Sequence, residues 1–316
     1  MTAPGVVGPM PIHDDDIAPL NQVFSDAFTE RYRRDGLVGV RVPALNPAIW
    51  RFSLADAADG AMLWRDAEGA IAAFNIAHRS GTEGWMGPLA VRTNLQGRAL
   101  GKTIVCAGID WLRSARAAVI GLETMPRTVD NIGFYSSLGF VPGPLTVTFT
   151  LDASPGNPVD RMGRYGARER DAFLEECTAL TTSVLPGRDF SREILLTAEM
   201  ALGDTVFVRD GDALVGFAVC HTAPLVEGRG REELRVLKVV LSDVLHVPAL
   251  VRAISSYARE SLTQRAALRV QSNHQSVYRA IVAAGGRVRW TDLRMTLDGF
   301  PERMPVRGAV LSNWEI

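Results

Sequence analysis

Gly87-Pro-Leu-Ala-Val-Arg-Thr-Asn-Leu-Gln-Gly-Arg-Ala-Leu-Gly-Lys-Thr103 reads as a strand, a short loop and the opening of an amphipathic helix. Gly97 and Gly101 allow a tight turn and the close approach of a ligand to the backbone, and Ala99 between them is nearly as small. The unpaired amides of a first helical turn, reinforced by the helix dipole, suit a phosphate or pyrophosphate. Arg98 and Lys102 add positive charge there. Beyond them Ile104, Val105, Ile109 and Leu112 recur at helical spacing, so one face of the helix packs on a sheet. Neither GxxxxGK followed by Ser or Thr nor GxGxxG is present, which sets aside the Walker and dinucleotide loops.

The flanking sequence places this stretch in an α+β unit. His13-Asp-Asp-Asp-Ile17 offers N-caps for a helix to about Arg34, with Leu20, Phe24 and Phe28 at helical spacing. Strand patterns follow around 62–65, 70–78 and 85–91, then a helix over about 97–116, a strand near 119–124, a helix near 131–138 and a strand through 146–151. That order indicates a mixed central β-sheet flanked by helices.

With 316 residues the chain exceeds the usual size of one domain, and two units of about 150 residues are expected. Glu68-Gly-Ala-Ile-Ala-Ala-Phe-Asn-Ile-Ala-His78 resembles Gly211-Asp-Ala-Leu-Val-Gly-Phe-Ala-Val-Cys-His221, pairing Phe74 with Phe217 and His78 with His221 at a separation of 143. Tyr135 and Tyr278 share that separation, and both halves reach a strand ending in Thr-Leu-Asp, at 150–152 and 296–298. Matches in one order indicate a duplicated domain. The prolines and glycine of Asp152-Ala-Ser-Pro-Gly-Asn-Pro-Val159 mark the joint. The expected organisation is an N-terminal domain over 1–152, a linker over 153–159 and a C-terminal copy over 160–316 that opens with a helix around 168–180. A histidine common to both copies, His78, is expected to be structural.

Composition narrows the function further. Against 34 Lys and Arg stand 35 Asp and Glu, a net charge of -1, which leaves no broad positive field for nucleic acid or an anionic membrane. No apolar run reaches the roughly 18 residues of a transmembrane helix, and the first ten residues, lacking a signal peptide's basic start and apolar core, read as a loose end. A cytoplasmic protein is expected. Cys106, Cys177 and Cys220 form no CxxC pair and sit at no metal-ligand spacing, so each is expected as a small apolar residue, with no metal site.

Gln96-Gly-Arg-Ala-Leu-Gly101 after a Leu-Ala-Val strand resembles the pyrophosphate motif of the GCN5-related N-acetyltransferase (GNAT) family, Gln or Arg, two residues, Gly, one residue, then Gly or Ala; Ala99 stands where glycine is commonest. Thr128-Val-Asp-Asn-Ile-Gly-Phe-Tyr-Ser-Ser-Leu-Gly-Phe140 resembles the family's second motif, with Thr128 at its usual Asn position and Asn131 three residues later. The resemblance spans about residues 10–152. It implies an acetyl-CoA-dependent N-acyltransferase in which the acceptor amine attacks the thioester directly, without a protein nucleophile. The acyl donor is acetyl-CoA and no metal is required. Leu89, Ala90 and Val91 would hydrogen-bond the pantetheine arm and polarise the thioester carbonyl. Gln96, Gly97, Arg98, Ala99, Leu100, Gly101, Lys102 and Thr103 would hold the pyrophosphate, with Asn131 beside the ligand. Tyr135 would protonate the departing thiolate. Glu83 and Glu123, at expected strand ends near the cleft, are the candidate bases.

Sliding the first half forward by 143 puts Val239-Val-Leu-Ser-Asp-Val244 where Gln96–Gly101 stood. The glycines and the arginine are gone, and an aspartate there repels phosphate. The expectation is thus a tandem of GNAT-like domains, catalytic in the first and degenerate in the second, acting on a small-molecule or protein amine as a monomer or homodimer. The alternative is a non-catalytic acyl-CoA-binding regulatory or structural tandem.

Overall fold

The computed structural model describes residues 5–314. In chain order the elements are β1 (Val7–Pro11), α1 (Ile17–Arg34), α2 (Pro47–Ala57), β2 (Ala61–Arg65), β3 (Ile71–Ser80), β4 (Glu83–Val91), α3 (Leu100–Ser114), β5 (Val119–Thr124), α4 (Val129–Ser137) and β6 (Phe140–Asp152). There follow α5 (Ala167–Val184), α6 (Ser191–Glu199), β7 (Gly203–Asp210), β8 (Ala213–His221), β9 (Glu233–Leu241), α7 (Val247–Glu260), β10 (Arg265–Gln271), α8 (Gln275–Ala283), β11 (Arg287–Leu297) and β12 (Ala309–Ser312). The architecture is the expected α+β one. Of the expected loose N-terminus, residues 7–10 lie in β1, while residues 1–4 fall outside the described ones. Sequence reading passed over α2, whose start carries a clear signal: Asn46 accepts from the Ala48 amide at 3.0 Å, and Pro47 takes the first helical position.

All described strands join one sheet, ordered β1-β2-β3-β4-β5-β11-β6-β10-β9-β8-β7, with β12 paired to β9. Neighbours run antiparallel except β4–β5 and β9–β10. The order is symmetric about its middle: β5 answers to β10, β4 to β9, β3 to β8 and β2 to β7. The middle strands are exchanged between the halves. β11, late in the sequence, separates β5 from β6, and β6 separates β11 from β10. The two pair antiparallel from Thr150↔Arg287 to Phe140↔Leu297.

The exchange divides the side chains of β6 between two cores. Phe140 of β6 and Met295 and Leu297 of β11 pack with α3 and α4. Val147, Phe149 and Leu151 of β6 pack instead with α7 and α8. At about 1.5–3 kcal/mol for each fully buried side chain, these last three contribute roughly 5–9 kcal/mol to a core made mostly by the other half. On the opposite face of the sheet, α1 and α2 cover one side and α5 and α6 the other.

Candidate active site

A cleft opens in the first half because β4 and β5 part company. Their parallel pairing runs from Glu83↔Val119 to Met86↔Leu122 and stops. On the other side of β4, the register with β3 jumps between Ala77↔Met86 and Asn75↔Leu89, a bulge at Gly87-Pro88 that bends the strand away. Gly87, at φ 149°, takes a backbone conformation that glycine tolerates best. Farther along, the Arg92 amide donates to the Ala72 carbonyl at 2.9 Å. Strand alternation therefore points the amides of Leu89 and Val91 into the cleft. Gln96 Nε2 donates to the Val91 carbonyl at 3.1 Å on that same side, tying the following loop to the strand.

The loop turns through Gly97, at φ 77°, and Ala99, at φ 63°, before α3 begins. Ala99 caps the helix without a side-chain hydrogen bond, and the first helical bond is from the Thr103 amide to the Ala99 carbonyl at 3.3 Å. The amides of Leu100, Gly101 and Lys102 precede it and have no acceptor within the helix. Left-handed backbone costs an L-residue about 1–2 kcal/mol, part of which glycine's larger unfolded entropy cancels. Ala99→Gly is expected to stabilise the protein by up to about 1 kcal/mol, a rise of roughly 2 °C in Tm. An unchanged or lower Tm would show that the turn is unstrained.

A cavity of about 660 Å³ gathers Leu89, Ala90, Val91, Gln96, Gly97, Gly101, Asn131 and Tyr135 at one place. Five other residues proposed for the acyl-CoA site do not line it. Leu100 is buried in the core, Thr103 is half-buried on α3, and Arg98, Ala99 and Lys102 are exposed. Arg98 and Lys102 make no ion pair among the described residues. Tyr135 is buried on α4, its ring edge-on to Phe140 at 6.1 Å, and burial pushes its phenol up to about 12. It therefore stays protonated at neutral pH. Thr128, at the N-cap of α4, donates its hydroxyl to Asp35 Oδ2 at 2.5 Å, and Asn131 Nδ2 lies 3.4 Å from Thr124 Oγ1.

The two proposed bases part ways. Glu83 lies outside the cavity, fully buried at the start of β4, 3.2 Å from Arg188 of the second half. Burial would raise its carboxyl, but Arg188, Lys238 and Arg294 outweigh that and hold it low. Glu123, at the end of β5, does line the cavity. It accepts from Thr146 and Arg269 at 2.5 Å each and from Arg294 at 3.2 Å. Burial raises its carboxyl, and the two arginines more than reverse that.

A second cavity, of about 620 Å³, continues from the first. Phe28, Tyr32, Pro88, Glu123, Trp290 and Asp292 border both, forming a neck between them. Trp290 and Asp292 sit on β11 and reach the site only through the strand exchange. Sequence reading missed them, since no motif marks a side chain brought in by topology. His78 also borders the second cavity, with Nδ1 2.7 Å from Asp56 of α2 and Nε2 3.1 Å from the Gly87 carbonyl at the bulge.

The matching cleft of the second half is built differently. β9 and β10 pair only through Val236↔Leu268, but β12 then pairs with β9 from Lys238↔Ser312 to Leu241↔Ala309. The backbone corresponding to Leu89–Val91 is thereby spent on a strand of the chain itself. Only residues 242–246 link β9 to α7, against 92–99 between β4 and α3. Asp243 stands in this shorter loop, capping Leu245 at 2.9 Å and binding Arg307 at 2.7 Å.

Residues 24–140 match the model of the acetyltransferase (GNAT) family. Among solved structures, the chain is similar to a GCN5-related N-acetyltransferase from Sphaerobacter thermophilus, with a TM-score of 0.59 and 14% identity over 96% of this chain and 98% of that one. It is also similar to a tandem GNAT protein from the clavulanic acid biosynthesis pathway, at a TM-score of 0.61 and 11% identity over 94% and 99%. N-myristoyltransferase from Saccharomyces cerevisiae, solved with myristoyl-CoA, aligns at 0.60 and 10% over 98% and 88%. These are likenesses of fold. No curated protein matches the chain by sequence.

Proposed function

We propose, from the match of residues 24–140 to the acetyltransferase (GNAT) family, that the first half of the chain transfers an acetyl group from acetyl-CoA to an amine. The observation that carries this reading is the single cavity joining three things: the cleft-facing amides of Leu89 and Val91, the Gln96–Gly101 turn, and the Tyr135 phenol. The free amides of the α3 turn suit the pyrophosphate, with Arg98 and Lys102 exposed beside it. Leu89 and Val91 would hydrogen-bond the pantetheine arm and the carbonyl oxygen as charge develops on it. Tyr135, kept protonated by burial, donates toward the departing sulfur, whose own basicity rises in the same buried setting. In the second half β12 occupies the corresponding backbone, which supports one acyl-CoA site in the chain.

Acetyl-CoA is expected to raise the Tm of the protein and, with an amine, to release free CoA thiol. Stabilisation without thiol release from any amine would favour the regulatory alternative. Tyr135→Phe is expected to lower kcat by roughly a hundredfold with little change in the KM for acetyl-CoA. The phenol makes no hydrogen bond among the described residues, so its removal leaves packing intact. An unchanged kcat would assign the proton to water instead.

A further inference from the structure

The second cavity lies between the halves, and its walls specify what fits there. Phe24 and Phe28 come from α1, Leu225 from the loop before β9, Leu237 from β9, Ala267 from β10, and Trp314 follows β12. The walls are largely apolar and aromatic. A volume of about 620 Å³ is that of a small-molecule site.

Charges on these walls are matched. Glu123 is bound by Arg269 and Arg294, Asp292 by Arg269 at 2.9 Å, and Glu233 by Arg265 at 2.9 Å and by Arg289. Arg235, the remaining lining arginine, donates to the Ala223 carbonyl at 2.7 Å. A polycation such as a polyamine or aminoglycoside would need an excess of carboxylate here, and an acidic acceptor an excess of arginine. Neither exists. At the neck Glu123 is held ionised by its arginines, and Asp292, whose carboxyl burial raises, already accepts hydrogen bonds on both oxygens, from Arg269 at 2.9 Å and Trp290 Nε1 at 3.1 Å. An amine protonated at neutral pH enters so apolar a cavity poorly, because its charge must be desolvated without a carboxylate free to pair with it.

We infer that the acceptor is a small arylamine, whose nitrogen is already neutral at pH 7 and whose ring lies among the aromatic and aliphatic walls of the second cavity, with the nitrogen at the neck between Tyr32, Trp290 and Asp292. This rests on the acyl-transfer reading above. The nitrogen lone pair forms the C–N bond, and the C–S bond breaks with its electrons going to sulfur. The sulfur takes the Tyr135 proton, and the nitrogen, made acidic by acylation, gives one of its protons through Asp292 to solvent, from which Tyr135 is reprotonated. The products are the anilide and free CoA thiol.

The test compares 4-methoxyaniline, phenethylamine, spermidine and a lysine peptide as acceptors with acetyl-CoA, alongside the Tm shift produced by acetyl-CoA alone. The arylamine is expected to exceed spermidine and the peptide in kcat/KM by more than about tenfold. Preference for spermidine or the peptide overturns the assignment, as does no arylamine turnover by a protein that acetyl-CoA stabilises. Absence of the Tm shift would instead sink the acetyl-CoA reading. Binding of 4-methoxyaniline alone, followed by quenching of Trp85, Trp290 and Trp314, keeps the assignment testable in that case, and no quenching counts against it. Ala267→Phe, which fills the cavity from β10, is expected to weaken that binding by about tenfold while leaving the acetyl-CoA shift in place. Unweakened binding would put the arylamine elsewhere.

Discussion

Gly101→Glu is expected to raise the KM for acetyl-CoA by two to three powers of ten while leaving the protein folded. Gly101 lies in the first turn of α3 and lines the cleft, and a Cβ built there meets the Phe134 ring at 3.5 Å from Cζ and 4.0 Å from Cε2, ordinary contacts. A carboxylate about 4 Å from a phosphate, at an effective dielectric near 20, costs about 4 kcal/mol in binding. The same charge at a helix N-terminus favours the helix by about 0.3–1 kcal/mol. Binding and folding thus move in opposite directions. The unliganded Tm should hold or rise slightly while the shift with acetyl-CoA vanishes, and isothermal calorimetry with a melting curve reads both. Retained affinity would mean that the pyrophosphate lies away from the α3 turn.

The second large effect is expected at Arg294, which is 1% exposed in β11. Its guanidinium reaches Glu123 at 3.2 Å, Glu302 and the Ser312 carbonyl at 3.1 Å each, and lies 3.8 Å over the Trp85 ring. Arg294→Met keeps much of the volume and removes the charge, leaving buried carboxylates undercompensated at about 3–5 kcal/mol, or roughly a 10 °C fall in Tm. Burial already raises the Glu302 carboxyl above its usual range, with Arg294 working against the rise. Without the arginine it rises further. A folded state that binds more protons than the unfolded one loses stability as pH climbs, so the deficit of the variant should be smaller near pH 5 than near pH 8. Denaturation at the two pH values checks the sign. A variant as stable as the parent at pH 7 would show that the cluster contributes nothing net.

The turn before α3 was legible because its signals are local: glycines, basic residues and an amphipathic helix follow one another in sequence. The repeat was legible only in part. Phe74 and Phe217 do take equivalent places, opposite Ala90 on β4 and Val240 on β9. A single offset fails farther on, because residues 81–82 join β3 to β4 whereas 222–232 join β8 to β9, and the loop before α7 is shorter than that before α3. Gly139 and Gly285, both left-handed after their helices, set the offset there at 146. Ile281 therefore takes the place of Tyr135, and Tyr278 packs on Phe149 at 5.1 Å instead. The loop answering to Gln96–Gly101 likewise runs through Asp243 toward Pro248 rather than over Val239–Val244. Strand patterns state which face is buried but not which strand lies alongside, so neither the exchange of β6 and β11 nor the pairing of β12 was readable.

That exchange also sets an order of events during synthesis. A ribosome emits β5 and β6 long before β11, yet β11 must lie between them. Until Leu297 has emerged, the first half carries an open edge on β5, and the neck between the two cavities lacks Trp290 and Asp292. Closing the pair across so long a separation is slow, and in the interval the bare strand edges invite pairing with other nascent chains. Because β11 and β6 lie side by side at the middle of the sheet, neither half completes its own strands before the other has been made.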